Sequence, residues 1–540
     1  MKAKNIIYSS LACLTLAVGT QSCTGDLDQT PHAETTSESV YTSMEGFESV
    51  MGKIYNSMVT TGQGKGGEIS DLSSISGYDY MRCYFNLQEC GTDEVASTWL
   101  AGDKTADITY LTWDSNDPWV SDMYYRIFYN ISLCNEFLRN CTEDNINEVL
   151  SKCPEDKVEK YREELLHYYA EARTMRAMFY LHALDLYRNI PFVDETSKVG
   201  SFTPPCYTPE QTFAFIEKEL IEATPYLYDK ANCPYGRMSQ GGALTLLAHL
   251  YLNSEVWTGV ARWNECIEAC KLVIAQGYTL ESDYQKLFNA DNHLRTNEII
   301  FALTVDPEHT VSWGASTYII CGEVGSTGTS QKVEDYGVTT GWGMFRARGE
   351  FTSLFSDDED QRYKDQRKLF HDAGQSQYID NIAAQDQTQG WCVKKWTNLK
   401  DDGTQASNTA DAGVATDYPL MRLADVYLMY AEATVRSNNT TEWEQAVDYL
   451  NALRQRAHGK SIAANNMTLD FIIKERAREL YWEGYRRTDL VRFNLFTTSD
   501  YIWQWKGGTK NGAAVDKKYN YYPIPATELT ANPNLSNPEY

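Results

Sequence analysis

The chain has 540 residues with 42% apolar content, enough for a sizeable core, which excludes general disorder. That length fits roughly three to four domains of ordinary size, or one large helical domain with elaborated loops. Asp and Glu total 74 against 48 Lys and Arg, and the net charge of −26 argues against nucleic acid, which needs a cationic surface to displace its counterions. Neutral small molecules, sugars or a protein partner fit better. The 37 Tyr and 13 Trp supply flat faces suited to ligand stacking.

Lys2 and Lys4 open the chain, and Ile6 to Val18 is an apolar run too short to span a bilayer. Thr20-Gln21-Ser22-Cys23 follows. This order predicts a signal peptide over residues 1–22. The Cys directly after a small residue resembles a bacterial lipoprotein site, at which Cys23 becomes the acylated N-terminus. Ordinary secretion with an unmodified Cys23 is the alternative. No other run is long enough to span a membrane, so the mature protein is expected to be held through a lipid anchor. Residues 23–42 are polar and turn-rich and read as a tether.

The body is expected over 43–540. Phe47, Met51, Ile54 and Met58 share one helical face. Residues 61–120 are irregular and rich in Gly, Ser, Asp and aromatics. Met123, Ile127, Ile131, Cys134 and Phe137 return to helical spacing, and a long helix from about Glu155 to Leu186 ends before Pro191. Thr208-Pro209-Glu210-Gln211 is a capping box with Pro at the first helical position. Leu244, Leu247, Leu250 and Tyr251 begin one helix, and Trp263-Asn264-Glu265-Cys266-Ile267 begins its partner. The pairing recurs late, where Leu420, Leu423, Ala424, Tyr427 and Ala431 precede Trp443-Glu444-Gln445-Ala446-Val447. These pairs predict degenerate tetratricopeptide-like hairpins over about 43–60, 121–300 and 420–493. Residues 305–419 break the pattern, and a long loop region of this kind is usually functional. A final helix is expected from Leu469 to Phe493.

Several stretches together resemble the SusD/RagB family of Bacteroidota nutrient-binding lipoproteins. They are Cys23 to Asp28 with Pro31, Leu87-Gln88-Glu89 with Thr92-Asp93-Glu94, and Glu171-Ala172-Arg173 with Tyr187 to Pro191. Pro419 to Ala433, Glu475 to Leu480, Arg487 to Leu490, Pro523-Ile524-Pro525 and Asn537-Pro538 complete the set. The resemblance implies a mainly α fold with four tetratricopeptide-like hairpins and a loop-rich ligand-binding portion. It implies an outer-membrane protein facing the exterior. Such a protein captures oligosaccharide or polysaccharide and passes it to a SusC-like TonB-dependent transporter. It implies neither catalytic residues nor a cofactor. The ligand loops vary across that family, so the glycan is not carried over.

Trp99, Trp313 and Trp342 are the candidate stacking residues, because each falls in an expected loop rather than on an apolar helix face. Arg82, Asp103 and Lys104 are candidate partners for sugar hydroxyls. The alternative for each Trp is a place in the core beneath a long loop. The charges of Arg422, Asp425, Glu432, Glu475, Arg476, Arg478, Glu479, Arg487 and Asp489 have helical spacing and are expected to pair with one another. Asp93 and Glu94 are adjacent, whereas glycoside hydrolysis needs two carboxylates flanking one bond. Asp357, Asp358, Glu359 and Asp360 lack the DxDxDG calcium pattern and read as a solvated turn. Cys266 and Cys270 have no His nearby, there is no HExxH, and no metal is expected. A surface glycoside hydrolase and a hairpin-based peptide-binding scaffold are the competing functional readings.

Overall fold

The computed structural model describes residues 37–62, 64, 71–72, 78–200, 202–325, 331–355, 370–372, 378–384, 388–408 and 413–540. The expected signal peptide, Cys23, most of the expected tether and the Asp357 to Asp360 run lie outside the described residues. The body begins earlier than its expected boundary, because Ser37–Val40 is helical and Tyr41 is buried against Phe47 and Phe137.

Helix α1, Met44–Asn56, starts where the Ser43 hydroxyl accepts the Gly46 amide, and it buries Phe47, Met51 and Ile54. Helix α2, Tyr80–Phe85, runs on into a π-helical turn, Asn86–Cys90. Strand β1 is Ala96–Ser97. Helix α3, Pro118–Asn140, has Pro at its start and Asp117 accepting the Trp119 and Val120 amides. Helix α4, Val158–Tyr187, ends at Arg188, whose φ of 66 turns the chain into Ile190–Pro191. Helix α5, Pro209–Ala223, carries the expected Thr208/Gln211 capping box. Helices α6, Gln240–Leu252, and α7, Trp263–Ala275, follow. Strand β2, Ile299–Leu303, precedes helix α8, Ala315–Glu323, and strand β3, Phe345–Arg346. Strand β4, Tyr418–Arg422, leads directly into α9, Leu423–Ser437, then α10, Trp443–Arg456, α11, Leu469–Leu480, and α12, Arg486–Arg492.

Neighbouring helices pack in succession: α3 on α4, α4 on α5, α6 on α7, α7 on α9, and α9 on both α10 and α11. One continuous apolar core runs through this helical body. Strands are few and short. β2 pairs antiparallel with β4, and β1 with β3.

Three local expectations change. Leu420 lies in β4 rather than on the α9 face, because Tyr418–Arg422 pairs with β2. The final helix is two helices: Trp482 at φ 60 and Gly484 at φ 88 break it between Leu480 and Arg486. The segments expected to be irregular hold α2 and α8. Both are buried on nearly every side, so neither shows the one-sided apolar period that marks a surface helix.

The charges of β4 and α9 to α12 form a buried lattice. Arg422 reaches Glu298 and Glu483 at 2.7 Å, and Lys395 joins Glu483 at 2.6 Å. Arg476 binds Asp425 at 2.9 Å and Asp489 at 2.7 Å. Arg492 grips both oxygens of Glu432, at 2.6 and 2.8 Å. Burial alone would raise the Glu432 carboxyl, but Arg492 and Arg436 hold it down to about 2 from its ordinary 4.5. A depressed carboxylate contributes stability above its unfolded value and loses it as pH falls through its folded value. Glu432→Gln should therefore lower the melting temperature at neutral pH. Its further decline between about pH 4.5 and 2 should be shallower than that of the unaltered protein. Parallel acid declines in the two proteins, followed by circular dichroism, would refute this assignment.

Candidate functional site

Trp99, Trp313 and Trp342 come from three separated segments and line one open basin of about 360 Å³, together with Tyr78, Arg82, Gly102, Asp103 and Met344. The β1–β3 pairing brings two of them together. Thr98 donates its amide to the Met344 carbonyl at 2.8 Å, which sets Trp99 beside the Trp342–Met344 strand entry. The Trp342 and Met344 amides in turn donate to the carbonyls of Cys321 and Gly322 in α8, at 2.7 and 2.8 Å. Trp313 arrives on the turn immediately before α8. Trp99 and Trp342 are partly buried against the core, whereas Trp313 is 37% exposed and forms the lip.

The floor is a closed electrostatic unit. Arg82 donates twice to Asp103, at 2.8 and 2.9 Å, and its other terminal nitrogen donates to the Trp313 carbonyl at 2.7 Å. Its guanidinium lies 3.6 Å from the Tyr78 ring centroid and 4.1 Å from that of Tyr318. Burial works against this cation, but Tyr318, Asp103 and Tyr78 raise its pKa above the ordinary value. The Tyr78 hydroxyl donates to Asp103 at 2.8 Å, and the Tyr78 ring stacks on Trp119 at 5.1 Å and 3°. Trp119 Nε1 donates to the Asp103 carbonyl at 2.8 Å. Arg82 and Asp103 are both buried and paired with each other, so they present a neutral floor rather than a free charge. Lys104 is exposed, with φ of 53, and is not among the lining residues. Sequence reasoning missed Tyr78, Gly102 and Met344. One Tyr among 37 has no distinguishing sequence signal, and Met344 enters only through the strand pairing.

The acidic pair weighed for hydrolysis lies elsewhere. Asp93 accepts two hydrogen bonds from Arg486, at 2.7 and 2.8 Å, and one from Tyr501 at 2.7 Å. Glu94 accepts the Trp482 amide at 3.0 Å. Both carboxylates are fully buried and occupied by protein donors, so neither flanks an accessible bond. Among the described residues no group of three or more His, Cys, Asp or Glu side chains is arranged to hold a metal ion, and no helix is long and apolar enough to cross a membrane.

The helical body thus carries an open aromatic basin whose indoles lie on non-helical segments. The SusD family model matches residues 326–540. The starch-binding protein SusD of Bacteroides thetaiotaomicron is 30% identical over 589 residues, with 100% of both chains covered. The SusD-like protein P25 of Formosa agariphila is 26% identical over 469 residues, covering 80% of each chain. Among solved structures, a SusD superfamily protein from Bacteroides thetaiotaomicron matches with a TM-score of 0.69 at 18% identity, covering 92% of this chain and 100% of that one. A laminarin-binding SusD-like protein matches with a TM-score of 0.66 at 21% identity, covering 93% and 100%. The chain belongs to the SusD family.

The buried pair gives a direct test of the floor. Asp103→Ala leaves the Arg82 cation buried without its carboxylate, and should cost about 3–5 kcal/mol in urea unfolding. Lys104→Ala, at an exposed position, should stay within about 0.5 kcal/mol. Equal effects of the two substitutions would overturn the assignment of Asp103 as the counter-charge.

Proposed function

We propose that this chain is a glycan-binding protein whose ligand lies across the Trp99, Trp313 and Trp342 basin. The observation that carries this reading is the convergence of three indoles on one open, charge-neutral surface. Sugar rings have apolar C–H faces that stack on indole, while their hydroxyls need polar partners at the margins. An open basin accepts a segment of a long chain, which a closed pocket does not. The neutral floor favours an uncharged glycan. A starch-type α-glucan is the first candidate, since a relative that aligns over the whole chain is named a starch-binding protein. The laminarin-binding name of a structural neighbour makes a β-glucan the second.

In this reading the mature protein is anchored through acylated Cys23 on the outer membrane, facing the exterior. It hands captured glycan to a SusC-like TonB-dependent transporter. Many shallow contacts give modest affinity, which suits release. The reading is supported by the lipoprotein-like Ser22-Cys23 junction and by the family membership. Mass spectrometry of the mature N-terminus should find acyl chains on Cys23, and Cys23→Ala should leave the membrane fraction. An unmodified N-terminal peptide that continues through Cys23 contradicts the anchor.

Isothermal titration with maltoheptaose and with laminarin oligosaccharides tests the site. Replacing Trp99, Trp313 or Trp342 by Ala should each weaken binding by about 1–3 kcal/mol, by analogy with base stacking on aromatic side chains. That corresponds to roughly 5- to 150-fold in Kd. Melting curves separate this from core damage, since a core Trp replaced by Ala costs about 3–5 kcal/mol of stability. Absence of binding to any glycan on an array, by the protein lacking residues 1–23, would sink the reading.

A further inference from the structure

Trp313 is the most exposed of the three indoles, so packing alone does little to fix it. Its backbone, by contrast, is tightly held. The turn Ser312-Trp313-Gly314 lies against the first turn of α2 and is tied to it through Asp79 and Arg82. Asp79 is the N-cap of α2: one carboxylate oxygen accepts the Arg82 amide at 2.8 Å. The other accepts the Ser312 hydroxyl at 2.7 Å. That hydroxyl accepts the Gly314 amide at 3.2 Å. Arg82 completes the hold by donating to the Trp313 carbonyl. A Cβ on Gly314 would stand 2.0 Å from the Asp79 carboxylate, so the glycine backbone is seated directly on that group. Directly afterwards Ala315 adopts φ of 43 and the chain enters α8.

We infer that Asp79 is a positioning residue for the basin, holding the Ser312-Trp313-Gly314 turn so that the Trp313 indole stands ready at the lip. The inference rests on the glycan reading of the site. Asp79 lies beneath the turn and is completely buried, and it is not among the residues that line the basin. Its effect on affinity passes through Trp313. A side chain and its loop ordered in advance bind more tightly because less conformational freedom is lost on association. An N-cap by itself would act on α2 and its Arg82, and Ser312→Ala, which leaves that cap in place, separates this from a hold on the lip turn. The double use of the Asp79 carboxylate, one oxygen for the helix and one for the lip turn, distinguishes the two roles.

Two measurements decide it. In the ligand-free protein, hydrogen exchange of a peptide spanning 310–316 should rise several-fold in Asp79→Ala and in Ser312→Ala, while peptides containing Trp342 stay unchanged. Ser312→Ala keeps the α2 cap, so it reports on the turn even if Asp79→Ala folds poorly. In maltoheptaose titrations, each substitution should raise Kd roughly three- to tenfold. Neither should add to the loss already caused by Trp313→Ala. Unchanged exchange in 310–316 overturns the inference whether or not glycan binds. An equal loss of affinity with and without Trp313 overturns it as well, since that is the mark of a general structural defect. If maltoheptaose fails to bind the unaltered protein, the glycan reading is what has failed for that sugar, and the exchange result alone judges the clamp.

Discussion

The ion pair between Arg486 and Asp93 joins the C-terminal helices to the segment that leads into the basin. The two residues lie 393 positions apart, and both are buried. Removing two such charges from water is costly, and the arrangement persists only because each finds a good partner and the remaining lone pairs are filled. Here Asp93 accepts from two of the three Arg486 nitrogens and from the Tyr501 hydroxyl. The same junction is reinforced on either side. The Glu89 carboxylate accepts the Gly484 amide at 2.7 Å and the Tyr485 amide at 3.2 Å. Trp482 donates its backbone amide and its indole nitrogen to Glu94. These contacts need the break between α11 and α12, because a continuous helix would keep the amides of residues 482 to 485 for itself. The positive φ of Gly484 is therefore part of the junction. Arg348 closes the far side by donating to the carbonyls of Thr92 and Val95, one residue ahead of β1. Residues 89–97 thus leave the helical body in one fixed path, and Trp99 emerges at its end.

The division of labour follows from this. Helices α3 to α7 and α9 to α12 supply a body whose apolar faces and paired charges are satisfied internally. Apart from Arg82 of α2, the basin is assembled from what the helices do not use: a two-residue strand pair, the entry to α8 and the turn before α2. Such segments have little intrinsic order, so their positions depend on hydrogen bonds to the body. Trp99 and Trp342 are set together by the β1–β3 pairing, with Trp342 also tied to the α8 carbonyls, and Trp313 is held separately by Asp79 and Arg82.

Legibility in the sequence divided along the same line. The Thr208/Gln211 capping box, the end of α4 before Pro191 and the α1 face of Phe47, Met51 and Ile54 are local rules, and each is visible in a window of a few residues. The charged residues of α9 to α12 read as architectural because their spacing offered partners, although their actual partners are mostly on other elements. Helices α2 and α8 were illegible because burial on all sides removes the amphipathic period. The three indoles were legible as loop tryptophans, and Arg82 and Asp103 as nearby polar groups. That Arg82 and Asp103 pair with each other was not, because the contact depends on how α2 meets the 99–105 turn. The role of Asp79 was hidden for the same reason: in the sequence it is only a helix cap, and its second partner lies 233 residues away.

Charge adds a last constraint on what the basin accepts. The chain carries −26, so its surface repels polyanions at distances up to the Debye length, about 8 Å at physiological ionic strength. A site for uronic acids or sulfated sugars would have to overcome that repulsion with free arginines or lysines at the contact. The cation at this floor is already committed: Arg82 spends its terminal nitrogens on Asp103 and on the Trp313 carbonyl. An anionic ligand would have to displace Asp103 and leave it buried without its counter-charge, a loss comparable to breaking any buried pair. A neutral chain asks for no such exchange. It gains from indole faces and from hydroxyl contacts at the rim while the ion pair stays intact beneath it. Under the proposed function, the pair that organises the floor would therefore also discriminate, without offering the sugar a free charge.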